Sequence, residues 1–166
     1  MKVYLATDHT GFELKNFLKE KLTNDGYEVE DCGAFSYDAN DDYPDFIKVA
    51  AKKVSENPND RAIIMGGSGQ GENIVANKFK NVRCAVFYSA SIPKEAADIS
   101  GRMSDDPYEI VKLTRLHNNS NVLSLGIRFL TKDEAYRATT IFLTTETDST
   151  ERHVRRVNKI SQIENE

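Results

Sequence analysis

The run Gly66-Gly67-Ser68-Gly69-Gln70-Gly71-Glu72 carries the most specific chemistry in the sequence. Four glycines within six residues let the backbone approach a ligand and let several N–H groups face one point, a nest suited to a phosphate or an oxyanion. The same residues also read as a tight turn that needs unusual φ values. Glu72 follows at once. In the first turn of a helix a carboxylate is a favourable charge against the helix dipole. Beside a nest of amides it is also placed to move a proton while the nest holds the oxyanion that results. Enolisation next to a carbonyl requires that pair, and on residue types alone both readings of Glu72 stand. Nucleotide loops fit poorly. A Walker loop ends in Gly-Lys-Ser/Thr, whereas here Glu72-Asn73 follow Gly71; a dinucleotide fingerprint belongs after the first strand, and this loop follows the third.

Other candidates are Asp8-His9, Tyr43, His117-Asn118 and Arg128, together with Arg152 and Arg156, which are four apart and so share a helix face. Planar guanidinium groups suit a phosphate dianion. Each has a plainer reading: a lone histidine such as His9 or His117 commonly serves structure, Tyr43 packs as readily as it binds, and a charge run is ordinarily a solvated face. What distinguishes ERHVRR is its setting in an acidic chain beside an apolar stripe, Val154, Val157, Ile160 and Ile163. A helix docked on a neighbouring subunit would cover the stripe and employ the arginines.

Hydrophobic periodicity supplies the elements that must position these groups. Strands are expected at 3–7, 27–32, 61–65, 83–88 and 121–125. Helices are expected at about 11–22 (closed by Asp25-Gly26), from Pro44 through Val54, from the glycine loop to about Phe79, at 132–143 and from about Thr150 to 164. Strands alternating with helices predict an α/β fold with a parallel sheet covered on both faces. Ligands in such sheets bind beyond the carboxyl ends of the strands. Asp8, His9, Tyr43, the glycine loop, His117-Asn118 and Arg128 are therefore expected to converge on one rim.

A chain of 166 residues fits one domain with a real core. Its formal net charge of −4 argues against a general nucleic-acid surface, so a bound anion must be held by a local cluster of positive charge. The two cysteines, Cys32 and Cys84, are far apart and in no CxxC arrangement, which leaves a disulfide framework or zinc site without support. No stretch approaches transmembrane length, and MKVYLATDHTG has neither an apolar leader region nor a cleavage site, so a cytoplasmic location is expected and membrane association is not.

Taken together, ATDHTGFELK, DDYP, GGSGQGENIVANK, HNNSNVLSLGIR and ERHVRR resemble the type B ribose-5-phosphate isomerase family, which includes the galactose-6-phosphate isomerase subunits. The resemblance implies a Rossmann-like three-layer αβα sandwich with a five-stranded parallel sheet and an extra C-terminal helix. It also implies a homodimer with shared active sites, and isomerisation of a small sugar phosphate through a cis-enediolate without metal or organic cofactor. One branch of the family uses a cysteine base just before the glycine loop; Gly66 stands there in this sequence, which is similar to the other branch, with Glu72 as the base. By the same resemblance Gly67, Ser68, Gly69 and Gly71 cradle the enediolate, His117 promotes ring opening, and Asp8 handles a second proton or positions a hydroxyl. Tyr43 packs on the sugar, Asn118 hydrogen-bonds it, and His9 and Arg128, with Arg152 and Arg156 of the partner subunit, hold the phosphate.

The stretch between Phe87 and His117 is longer than the family pattern leads one to expect; Pro93, Gly101 and Pro107 break it into a loop or short helix before a helix from about Pro107 to Leu116. It reads either as surface elaboration or as a border of the active site. Isomerisation of a six-carbon sugar phosphate is the alternative activity. Non-catalytic binding of a sugar phosphate is a third reading, one that has no need of Glu72 or His117.

Overall fold

The structure, a computed structural model, describes residues 1–166. Its elements run β1 (Lys2–Thr7), α1 (Phe12–Asn24), β2 (Glu28–Asp31), α2 (Tyr43–Glu56), β3 (Arg61–Gly66), α3 (Gln70–Ala76), β4 (Cys84–Phe87), α4 (Glu109–Asn118), β5 (Val122–Gly126), α5 (Lys132–Thr144) and α6 (Glu151–Ile163), with single 3-10 turns at His9–Gly11 and Ile127–Phe129. The five strands form one parallel sheet in the order β2-β1-β3-β5-β4.

Strand side chains alternate between two cores. Val3, Leu5, Ile63, Met65, Leu123 and Leu125 face α1, α4 and α5, where Leu18, Leu22, Val111, Ala138 and Phe142 are buried. Tyr4, Ala6, Ala62, Ile64 and Val122 face α2 and α3, meeting Ile47, Ala50, Val54 and Ala76. Helices on both faces of a parallel sheet give a Rossmann-like three-layer α/β sandwich. The outward turn from β1 to β2 and the return to β3 on its other side make a crevice at the carboxyl ends of β1 and β3.

Element ends depart from the periodicity where a side chain replaces a backbone partner. The helix expected to reach Phe79 stops at Ala76 because the Asn77 side-chain amide pairs with the edge of β4, accepting from Cys84 N–H (2.9 Å) and donating to Cys84 C=O (3.0 Å). β4 itself spans four residues rather than the six expected, since its first partner, Asn121, accepts from Arg83 N–H through its side chain. β2 is likewise shorter than expected. Between β4 and α4, residues 88–108 contain neither helix nor strand. α6 packs against α4, but Val154, Ile160 and Ile163 on its stripe stay exposed, Ile163 by 66%.

Candidate active site

Three strand ends and two helix starts bring candidate residues together at the carboxyl edge of the sheet. β3 ends at Gly66, and the loop 67–69 turns into α3 through Gly69, whose φ of 73° is a left-handed conformation that a side chain would oppose. The N–H groups of Gly67, Ser68 and Gly69 donate to no carbonyl, which leaves them free for an oxyanion. Ser68 Oγ accepts from Gln70 N–H (3.3 Å).

Three glycines of the loop, Gly66, Gly67 and Gly71, each make room for a candidate side chain. A carbon added at Gly66 would overlap the carboxyl carbon and oxygens of Glu72. One added at Gly71 would lie 2.7 Å from the Tyr43 ring and hydroxyl, and one at Gly67 would lie 3.1 Å from the Arg128 guanidinium. Arg128 is further tied to the loop by its backbone N–H, which donates to Gly67 C=O (3.1 Å). Tyr43 opens α2, with Pro44 in its first turn. Glu72, Tyr43 and Arg128 therefore meet the glycine loop, as the motif spacing leads one to expect.

Asp8 and His9 complete this edge after β1. Asp8 is buried, and its Oδ1 accepts from Thr10 N–H (2.9 Å), capping the 3-10 turn. His9 Nδ1 lies 2.6 Å from Asp41 Oδ1, which also accepts from His9 N–H (3.0 Å). The hydrogen bond to Asp41 raises the His9 pKa, and the charges of Asp8 and Asp41 add to it, favouring a cation that suits a phosphate. Ligand-type atoms of Asp8, His9 and Asp41 lie within 4.8 Å of one another. His9 Nδ1 and Asp41 Oδ1 satisfy each other and Asp8 Oδ1 is engaged by Thr10, while Asp41 Oδ2 is buried without a hydrogen-bond partner. Asp41, the first residue of DDYP, was not among the candidates read from the sequence.

Glu72 is 4% exposed. Burial pushes its carboxyl pKa up, and the nearby Asp8 charge acts in the same direction, outweighing the hydrogen bond from its own N–H. A carboxyl in this state holds a proton more readily than an ordinary glutamate, as a base that must return what it takes needs to do.

His117 and Asn118 do not join this edge. α4 runs antiparallel to the strands, so its last turn, which holds both residues, lies at the amino ends of β4 and β5; Asn119 C=O there accepts from Arg83 and Asn121 C=O from Ala62. The expectation of one rim within one chain is corrected on this point, because His117-Asn118 precede β5 and the preceding helix delivers them to the opposite end. β3 alone spans five residue steps between these ends, about 16 Å.

At that far end His117 meets α6. Its ring lies 4.3 Å from that of His153, whose Nδ1 is 3.0 Å from Asp148 Oδ2. Burial lowers the His117 pKa, as does the His153 ring, while the Asp148 and Asp98 charges oppose this. His117, Arg152, His153 and Arg156 line one cavity of about 720 Å³, and Asn118 is exposed beside it. His153 and Asp148 were not singled out in the sequence, although His153 sits inside ERHVRR. The candidate residues of one chain thus fall into two halves: Asp8, His9, Tyr43, Glu72, Arg128 and the glycine loop at one end of the sheet, and His117, Asn118, Arg152 and Arg156 at the other.

Comparison with known proteins bears on what these halves are for. The profile of the Ribose/Galactose Isomerase family matches residues 3–100 and 96–160. The chain belongs to the ribose/galactose isomerase family. Within it, ribose-5-phosphate isomerase B of Mycolicibacterium paratuberculosis is 39% identical over 99% of this chain and 92% of its own length. A probable ribose-5-phosphate isomerase B of Mycoplasma genitalium is 38% identical over 99% of this chain and 96% of its own. The crystal structure of the Mycoplasma genitalium enzyme with bound ribulose-5-phosphate superposes with a TM-score of 0.85 at 36% identity, covering 99% of this chain and 97% of that one. The Clostridium thermocellum ribose-5-phosphate isomerase B structure gives 0.82 at 33% identity, covering 99% and 98%. No helix of this family member is long and apolar enough to cross a membrane.

Proposed function

We infer that this chain is an aldose–ketose isomerase that interconverts ribose 5-phosphate and ribulose 5-phosphate, with Glu72 as the base. Full-length relatives of that name support the substrate. The observation that carries the mechanism is the buried Glu72 carboxyl packed against Gly66, beside the free amides of Gly67, Ser68 and Gly69.

The half-sites support a homodimer. They lie further apart than a five-carbon sugar phosphate reaches, and a two-fold axis brings the half-site of one copy to the complementary half of the other. The exposed stripe of α6 gives that assembly an apolar surface to bury. In each site, His117 of one copy promotes opening of the furanose ring and Asn118 binds a sugar hydroxyl. Arg152 and Arg156 of that copy join His9 and Arg128 of the other around the phosphate. Tyr43 packs on the sugar, and Asp8 positions a hydroxyl or handles the second proton. Glu72 removes the C2 proton of the open aldose, the amides of Gly67, Ser68, Gly69 and Gly71 stabilise the cis-enediolate oxygen, and Glu72 returns the proton to C1 while a hydroxyl proton passes from O2 to O1. Only protons move, so the chemistry calls for neither metal nor organic cofactor. The same reading makes residues 1–166 one catalytic domain and places it in the cytoplasm, where its charged substrate is retained.

The test is an isomerase assay of chelator-treated protein on ribose 5-phosphate, with Glu72→Gln alongside. Turnover by the wild type and a fall in kcat of about 10³-fold in the variant are expected. Turnover of a six-carbon phosphate alone would reassign the substrate, and binding without turnover of any sugar phosphate would overturn the enzymatic reading.

A further inference from the structure

The long connection 88–108 is not a loose loop. Arg102 bridges two carboxylates, donating from Nε to Asp98 Oδ2 (2.9 Å) and from Nη2 to Glu109 Oε1 (2.5 Å). Glu109 is 2% exposed and accepts from Ser104 Oγ as well (2.9 Å). Asp98 Oδ1 accepts from both Ser100 N–H (2.9 Å) and Ser100 Oγ (2.6 Å), and Ala97 N–H closes the turn onto Arg102 C=O (2.8 Å). Residues 96–102 thus form a turn clamped to the first turn of α4.

This turn lines the cavity that holds His117, Arg152 and Arg156: Ala96 to Ser100 and Arg102 form one wall, and α6 supplies the opposite wall. A hydrogen-bonded wall facing the arginines proposed to hold the phosphate limits what can extend from the phosphate across the cavity. We propose that the turn Ala96–Arg102 is a specificity-determining wall of the isomerase site, which sets the length of the sugar phosphate seated on Arg152 and Arg156. Asp98 acts here as a positioning residue, through the shape it gives the turn. The proposal rests on the isomerase reading above and adds to it the element that separates five-carbon from six-carbon substrates. One additional carbon in a fitted pocket changes selectivity by roughly 10- to 200-fold, which is the scale a wall of this kind controls.

Two variants test it: Asp98→Ala, which releases Ser100 and Arg102, and replacement of residues 98–101 by Gly-Gly, which a two-residue turn between Ala97 and Arg102 can close. The readout is the ratio of kcat/KM for ribose 5-phosphate to that for allose 6-phosphate, with the inhibition constant of allose 6-phosphate used wherever its turnover is too slow to measure. Both variants are expected to move the ratio at least about tenfold toward the six-carbon sugar, chiefly through KM. Asp98→Asn, which keeps an acceptor for Ser100 N–H, should stay closer to the wild type. A ratio within about twofold of wild type in Asp98→Ala overturns the proposal, whether or not the shortened protein folds as judged by its melting curve. Wild-type protein inactive on both sugars would instead overturn the isomerase reading itself.

Discussion

Glu72 occupies the volume that any side chain at position 66 would need, so Gly66 is a condition of the proposed base and not only of the turn. This gives the family's alternative of a cysteine at that position a steric meaning: the observed Glu72 rotamer and a side chain at 66 exclude one another. Gly66→Ala is expected to displace the carboxyl and lower kcat by about 10²-fold or more while the protein stays folded, as measured by steady-state kinetics beside a melting curve. The raised pKa of Glu72 has two consequences of opposite sign. Activity needs the ionised base, so kcat/KM should rise with pH through a value above the ordinary glutamate range. Stability runs the other way, because a folded pKa above the unfolded one contributes stability that is complete below the unfolded pKa and lost as pH rises through the folded one. Glu72→Gln should therefore raise the neutral-pH melting temperature while lowering kcat by about 10³-fold, and the gain in stability should vanish at acid pH. Glu72 and the glycine loop were legible in the sequence because a motif keeps them adjacent. Asp41 on His9 and Asp148 on His153 were not, since each contact is made by a side chain from a turn whose path the sequence does not dictate.

α4 and α6 show what a helix does to a motif it carries. Periodicity located both, but the end of the sheet reached by HNN depends on helix direction, and His117 lies at the amino edge because α4 runs back along β5. There the His153 ring, hydrogen-bonded to Asp148, lies against the His117 ring, and the Asp148 charge keeps the His117 pKa from falling further under burial. Asp148→Asn is expected to shift the His117 limb of the kcat/KM pH profile to lower pH and to reduce kcat several-fold. An unchanged profile would assign Asp148 to the Thr150 turn alone, where it accepts from Thr150 N–H (2.8 Å). Strand order was equally hidden: β5 inserts between β3 and β4, and nothing in the hydrophobic pattern of a fully buried strand names its neighbours.

The whole molecule leaves its apolar stripe on α6 in solvent, next to the arginines proposed to hold the phosphate. Pairing and catalysis should therefore fail together. Substituting Val154 and Ile160 by Asp is expected to convert a dimer to monomers in sedimentation and to lower activity in the same proportion, with the circular dichroism of the sheet and helices retained. The two half-sites at opposite ends of one sheet have a further consequence at the level of inheritance. In the proposed homodimer, a chain lacking Glu72 and a chain lacking His117 would each be inactive alone, yet a mixed pair of them would rebuild one intact centre from the sound half of each. Random pairing of equal amounts would restore about a quarter of wild-type activity, so two loss-of-function alleles brought together in one cell would rescue each other, which two alleles damaged in the same half-site could not do.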